Sequence, residues 1–330
     1  MNNYPVSGNT LHDRYLIKHM IGQGGFGSIY LAEDMRLEGR LCAVKQVHYD
    51  SALPDEMLKE SRNQFMREAT VLARLDHPNL PKVSDFFSID ENDFLVMDYV
   101  PGEDLRTMLA KAESSGKFLK EEEVLDWAVQ IGDALSYLHH QDPPILHRDI
   151  KPSNLKVTPS GLVKLVDFGL VKLLAPDEIT ITIMQGQGTA LYTPLEQYGG
   201  DSNHTDARAD IYAFGCTLYH LLTNTPPMNV RDRFLKPESL IPPRSINPAI
   251  TPRVEDAILW AMSLHPNDRP KDMTTFVKAL TGETTGNLRW IGGSYSRSLQ
   301  AQLGQTEIQL GILAGGLVFL SLLFTLIHNL

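Results

Sequence analysis

The chain has 330 residues, of which 42% are hydrophobic and 21% charged, and it carries a formal net charge of −10. That length accommodates two lobes with large buried cores, and the composition is globular rather than disordered or fibrous. The acidic balance excludes a general nucleic-acid binder, and two cysteines far apart in sequence, Cys42 and Cys216, exclude a disulfide framework and metal-ligand spacing.

Met1–Thr10 is polar and lacks the basic and apolar regions of a signal peptide, so residues 1–14 are read as an N-terminal tail. Strand patterns, β-branched or aromatic with partial alternation, follow over Tyr15–Ile21, Ser28–Ala32, Leu41–Val47 and Phe94–Tyr99. A helix is expected over about Gln64–Leu75, where Phe65, Ala69, Leu72 and Leu75 share one side. Beyond Leu105 the pattern turns helical, as in Glu122–His139, Ile211–Leu222 and Val254–Ser263. The expectation is an α+β fold with a small β-rich lobe, about residues 15–99, before a larger α-rich lobe, about 100–281.

Residues 282–307 are rich in Gly, Ser, Thr and Gln and read as a linker. Between Leu310 and Ile327 there is no charged residue, and only Ser321 and Thr325 are polar. A helix over 308–327 is about 30 Å long, the thickness of a hydrocarbon core, so a single membrane span is expected. Arg289 and Arg297 precede it and no Lys or Arg follows, which places the folded part in the cytoplasm. Only His328, Asn329 and Leu330 come after it, too few for a fold on the far side. Gly311 and Gly315 have the small-residue spacing that lets two such helices approach, a route to a homodimer.

Gly22-Gln23-Gly24-Gly25-Phe26-Gly27 fits G-x-G-x-x-G, a pattern that dinucleotide sites place at the opening of a helix. Here Ser28–Ala32 follows as a strand, so the glycines close a β-hairpin whose backbone can approach phosphates without a Cβ clash. Lys45 sits in an apolar strand, between Cys42-Ala43-Val44 and Val47, and therefore needs an anionic partner. In His147-Arg148-Asp149-Ile150-Lys151-Pro152-Ser153-Asn154, the Asp149 and Asn154 side chains can face one cleft from a single loop. Asp167 of Asp167-Phe168-Gly169 follows a strand-turn-strand, Leu155 to Val166, bending at Pro159-Ser160-Gly161. A carboxylate to orient a hydroxyl, with oxygen ligands for a nucleotide-bound Mg²⁺, is what phosphoryl transfer needs.

In order and spacing these motifs, over about residues 15–281, resemble the eukaryotic-like (Hanks-type) Ser/Thr protein kinase family, in its bacterial style with a membrane-anchored C-terminus. The resemblance implies the bilobal protein kinase fold plus the one C-terminal transmembrane helix, ATP with Mg²⁺ or Mn²⁺, and protein Ser/Thr hydroxyls as acceptors. It assigns Asp149 as base and Lys151 as charge stabiliser, with Asn154 and Asp167 on the metal. ATP binding falls to Ile21, Gly22, Gly24, Gly25, Gly27 and Ile29, to Ala43 and Lys45, and to Met97, Asp98 and Val100 at the inter-lobe hinge. Glu68 is the expected carboxylate partner of Lys45, with Glu60 as fallback. Arg148 is expected to pair with a phosphate on the loop between Asp167 and Glu196, where Thr180 and Thr182 are the candidate autophosphorylation sites. Glu196, in Pro194-Leu195-Glu196 where the family has Ala-Pro-Glu, is expected to pair with Arg269, and Asp210 to brace the catalytic loop. The competing reading is a catalytically silent, membrane-anchored pseudokinase scaffold. It requires the loss of Lys45, Asp149, Asn154 or Asp167, or a blocked pocket, and all four residues are present.

Overall fold

A computed structural model describes residues 5–24, 27–49, 54–167, 172–173, 190–198 and 205–283. The first lobe is built on an antiparallel sheet of β1 (Thr10–Leu11), β2 (Tyr15–Gly24), β3 (Gly27–Asp34), β4 (Leu41–Val47), β5 (Val83–Ile89) and β6 (Asn92–Asp98), in the order β1-β2-β3-β4-β6-β5. Alternation sorts its side chains onto two faces. Tyr30, Ala32, Cys42, Val44, Phe94 and Val96 join Tyr15, Ile17 and Phe87 in one buried cluster. Fully burying one such aliphatic or aromatic side chain contributes roughly 1.5–3 kcal/mol, so this face anchors the lobe. The opposite face of β4 carries Ala43, Lys45 and Val47, also buried. The stretch read as a tail contributes the edge strand: Thr10 and Leu11 pair with Leu16 and Tyr15.

Helix α1 (Asp55–Leu72) buries Phe65, Glu68, Ala69 and Leu72, the face expected from periodicity. It starts well before Gln64 because Asp55 and Glu56 complement the helix dipole at its first turn, although that turn has no apolar stripe to reveal it.

The second lobe opens with β7 (Glu103–Asp104) and α2 (Leu105–Ser114), whose first turn is capped by Asp104 accepting from the Thr107 N–H at 2.9 Å. It continues through α3 (Glu121–His139), β8 (Ile145–Leu146), β9 (Leu155–Val157), β10 (Val163–Leu165), β11 (Lys172–Leu173), α4 (Arg208–Thr223), α5 (Val230–Leu235), α6 (Pro243–Ile246), α7 (Pro252–Ala261) and α8 (Met273–Thr281). Strands β7, β9 and β10 form one small sheet, and β8 with β11 a second. Helix α4 is buried almost all round, which marks it as the axis of the lobe, and α3, α7 and α8 pack against it. Helix α8 stops at Gly282, whose φ of +85° is a left-handed C-cap open to glycine. Within the described residues no helix is long and apolar enough to cross a membrane. The expected span over 308–327, and all but the first two residues of the expected linker, lie outside the described residues.

Candidate active site

The β4 register gathers the residues expected to face a nucleotide. Lys45 pairs across the sheet with Ile29 on one side and Leu95 on the other, while Ala43 pairs with Leu31 and Met97. Ile29, Ala43, Lys45 and Met97 therefore share one face. The hairpin expected from the glycine pattern is present, with Gly22 opposite Ile29 and Gly24 opposite Gly27. A Cβ on Gly27 would collide with the Gln46 carbonyl, so glycine is needed for β3 to pair this closely with β4 at the hairpin's base. Ile21 is exposed near the end of β2, and Gly25 lies outside the described residues. At the hinge the Asp98 N–H is committed to the Lys82 carbonyl at 2.9 Å, whereas among the described residues nothing accepts from the Val100 N–H. That leaves Val100 a donor for a flat heterocycle edge.

The catalytic loop follows β8 and is held from below by α4. Asp210, 0% exposed, takes the His147 and Arg148 N–H groups at 2.9 and 2.8 Å and the His139 Nε2–H at 2.8 Å. This brace sustains Arg148 at φ +61°, a conformation that costs a non-glycine residue on the order of 1–3 kcal/mol. Burial drives the Asp210 carboxyl up, but the His139 hydrogen bond and the neighbouring imidazoles outweigh it and hold the group below the usual carboxylate range. Two turns along α4, the Thr217 hydroxyl is shared between the Ala213 and Ile150 carbonyls at 2.9 and 3.1 Å.

Above this floor, Asp149 Oδ2 accepts from Lys151 Nζ at 2.8 Å and from Asn154 Nδ2 at 2.9 Å. Asn154 Nδ2 also donates to the Asp149 carbonyl at 2.8 Å, which fixes the amide with its oxygen turned away from Asp149. Asp149 Oδ1 is buried and has no partner among the described residues. A buried carboxylate oxygen left unpartnered costs on the order of 1–3 kcal/mol, and it is poised to accept from an incoming hydroxyl.

The β9–β10 hairpin, turning at Gly161 with φ +83°, brings Asp167 beside Asn154. The ladder closes with the Val166 N–H on the Asn154 carbonyl at 2.8 Å, and Asp167 follows at φ +59°. Lys45 Nζ makes an ion pair with Asp167 Oδ1. Lys45 holds the Asp167 carboxyl below its ordinary range, against the opposing effect of burial, so Asp167 is an anion ready for a cation. Among the described residues no three or more His, Cys, Asp or Glu side chains are arranged so that they could hold a metal ion. The chain thus offers a divalent ion two oxygens, Asn154 Oδ1 and the Asp167 carboxylate. That donor set fits Mg²⁺, which completes its shell with water and phosphate.

Glu68 is buried on α1 and accepts from Gln64 Nε2 at 3.0 Å, whereas Glu60 is paired on the surface with Arg67 at 2.8 Å. Of the two expected partners for Lys45, only Glu68 is buried. Arg148 is largely buried; burial lowers its proton affinity while Asp210 and Glu68 oppose that, and its Nε has no partner among the described residues. Thr180 and Thr182 lie outside the described residues. Arg269, with a side chain 0% exposed, grips Glu196 with both Nη atoms at 2.6 and 3.1 Å and donates to the Ser263, Arg208 and Leu264 carbonyls.

The protein kinase domain family matches residues 15–279, most of the chain. The chain belongs to this family. A probable serine/threonine-protein kinase of Streptomyces coelicolor is 35% identical over 270 residues, covering 78% of this chain and 38% of the relative. One of Clostridium perfringens is 32% identical over 268 residues, covering 79% of this chain and 37% of the relative. The chain thus spans less than two-fifths of the length of these curated relatives. The crystal structure of the PknI kinase domain of Mycobacterium tuberculosis superposes with a TM-score of 0.64 at 28% identity, covering 85% of this chain and 100% of that one.

Sequence reasoning missed His139 and Thr217, which support the catalytic loop, and Asn79, whose Nδ2 donates to the Val163 carbonyl at 2.7 Å while its own carbonyl accepts from the Leu165 N–H. Asn79 thereby ties the first lobe to β10, immediately before Asp167. The run Leu138-His139, at the end of α3 and shortly before β8, was the available signal for His139. Thr217 and Asn79 carried none that pattern alone could separate from core packing.

Proposed function

We propose that this protein is an ATP-dependent serine/threonine protein kinase, transferring the γ-phosphoryl group to Ser or Thr hydroxyls of other proteins. The reading rests above all on Asp149, whose Oδ2 is pinned by Lys151 and Asn154 while Oδ1 stays buried and open. Asp149 Oδ1 orients the acceptor hydroxyl and takes its proton as the bond from that oxygen to Pγ forms, while the bond from Pγ to the β–γ bridging oxygen breaks and ADP leaves. Lys151 offsets negative charge developing beside that oxygen. Lys45, on the nucleotide-facing side of β4, attracts the phosphates, and Ile29, Ala43 and Met97 supply an apolar wall for the adenine. Bound Mg²⁺, held by Asn154 and Asp167, supplies Lewis-acid neutralisation of the phosphate oxygens.

Control by autophosphorylation at Thr180 or Thr182 belongs to the same proposal. Arg148 is the cation to receive that phosphate, and its largely buried guanidinium, whose Nε has no partner among the described residues, supports this role. The apolar run 308–327 supports single-pass anchoring with the kinase domain on the cytoplasmic side, and its Gly311 and Gly315 support pairing of two copies.

The test is incubation of the full-length protein, in membranes, with ATP and Mg²⁺ beside an Asp149→Asn variant, with phosphosites mapped by mass spectrometry. Phosphate on Thr180, Thr182 or an added Ser/Thr acceptor in the parent alone is the expected result. Equal labelling of both proteins, or of neither, defeats the proposal.

A further inference from the structure

The segment Ala190–Tyr198 is tied down at three points. The Tyr192 hydroxyl donates to His220 Nδ1 on α4 at 2.7 Å, with the two rings stacked at 6.2 Å. Glu196 is gripped by Arg269. Tyr198 reaches back eight residues, and its hydroxyl donates to the Ala190 carbonyl at 3.2 Å. Burial holds the Tyr198 phenol above its ordinary range, although Arg231 and a Thr193 hydrogen bond oppose that, so the hydroxyl keeps its proton and donates.

The first two ties end on the core of the second lobe, whereas the third is backed by α5. Arg231 Cζ stands 4.0 Å from the centroid of the Tyr198 ring, well inside the ~6 Å reach of a cation–ring attraction. Helix α5 does not need that contact to hold its place. Arg233 is buried and donates from Nη1 to the Tyr212 hydroxyl at 3.1 Å and from Nη2 to the Met262 carbonyl at 3.0 Å. Asn229 caps the first turn, accepting from the Asp232 N–H at 3.0 Å. Arg231 therefore extends from a fixed backbone. Its planar guanidinium holds the Tyr198 ring, and with it the hydroxyl, on Ala190.

Ala190 lies close to where an acceptor must come. Thr217 holds the carbonyl of Ile150, the residue after Asp149, and His220 follows three positions along α4, about 4.5 Å further on. Ala190 is two residues from Tyr192, at most about 7 Å of extended chain. A Ser or Thr whose hydroxyl meets Asp149 Oδ1 carries its neighbours past this turn at about 3.3–3.6 Å per residue. We propose that Arg231 is a positioning residue for the protein acceptor: through the Tyr198 ring it fixes the Ala190–Tyr192 turn, against which the residues flanking the acceptor Ser or Thr lie. The proposal rests on the kinase reading above and says how that site holds its substrate. Arg231 and Tyr198 belong to the second lobe, whereas Ile29, Lys45 and Met97 belong to the first, so the nucleotide is expected to bind unchanged.

The test is steady-state kinetics of the full-length protein, with the Ser/Thr peptide that an array shows to be the parent's best acceptor. Arg231→Met and Tyr198→Phe are each expected to raise KM for the peptide roughly fivefold, the weight of one such hydrogen bond, with kcat and KM for ATP within about twofold of the parent. Arg231→Lys keeps a cation over the ring and falls between the parent and Arg231→Met. The double variant is no worse than either single one, because both residues act through one carbonyl. A KM is unmoved by the fraction of enzyme that is folded. A parental peptide KM in either single variant, or additive effects in the double variant, overturns the positioning role and leaves the kinase reading intact. So does a fall in kcat with both KM values raised together, which marks a general loss of structure. No transfer by the parent to any peptide or protein acceptor overturns both.

Discussion

Asp210 Oδ1 accepts the Arg148 backbone N–H at 2.8 Å while Arg148 sits at φ +61°, so a fully buried carboxylate on α4 holds the catalytic loop in a strained turn. Asp210→Asn turns an amide N–H toward His147 N–H and His139, two donors that then lack an acceptor. The expected cost is about 3 kcal/mol of stability, because a buried charged acceptor is lost. Displacement of Asp149 by roughly 1 Å costs about 100-fold in kcat. Lys45 and the nucleotide-facing side of β4 do not touch Asp210, so ATP affinity should move far less than kcat. Chemical denaturation and steady-state kinetics check both halves; a variant with parental kcat sinks the account.

Arg269 is paired with Glu196 through two hydrogen bonds and spends its other donors on three backbone carbonyls. Glu196→Ala leaves this fully buried guanidinium without its counter-ion, for an expected loss of about 3–5 kcal/mol. Glu196→Gln keeps an acceptor oxygen and should lose less. Thermal unfolding of the two variants ranks them, and an Ala variant as stable as the Gln variant would count against a buried-charge origin.

The parts of the site that speak through side-chain chemistry at fixed offsets are legible in the sequence alone. Asp149, Asn154 and Asp167 sit on one loop and one hairpin, and the spacing through Pro159-Ser160-Gly161 predicted the turn at which Gly161 adopts φ +83°. The glycine hairpin followed from the strand pattern after Gly27. Elements without an apolar stripe were not legible: in the first two turns of α1 only Met57 and Leu58 are apolar and neither is buried, and the edge strand Thr10–Leu11 is too short for alternation to register. Supporting residues such as Thr217 look like ordinary core positions until α4 is seen to lie beneath Ile150. Which anion holds Lys45 also depended on the fold, since the hairpin delivers Asp167 to it.

His220 gives the domain a pH dependence whose sign is fixed. Its folded value, about 4, lies below the ordinary 6.5, so between these values the unfolded chain binds more protons. Stability is therefore full above about pH 6.5 and falls as the pH drops through this window toward 4. His147 and His48, both lowered by burial, act in the same direction. His220→Gln removes one contributor. Allowing for its partial exposure, the stability lost between pH 7 and pH 5 should shrink by about 1 kcal/mol, roughly 2–4 °C in Tm for a domain of this size. Unfolding curves at the two pH values decide, and an unchanged difference would falsify the assignment.

Gly132 lies where α3 meets α8, and its lack of a side chain is a packing requirement rather than a turn requirement. A Cβ there would collide with Val277 Cγ2, and Met273 stands close behind. Helix propensity alone predicts that Gly132→Ala stabilises α3 by about 1 kcal/mol. Val277 is β-branched and stiff at χ1, so it cannot swing aside cheaply, and overpacking of this kind costs about 1–3 kcal/mol. The packing term wins: the variant should be less stable by up to about 2 kcal/mol net. Val277→Ala opens the space the new methyl needs. Adding Gly132→Ala to a Val277→Ala background should therefore be neutral or stabilising, the opposite sign from its effect in the parent. A double-mutant cycle by urea denaturation measures that reversal, and additive single effects would mean that the two side chains do not compete for the α3–α8 interface.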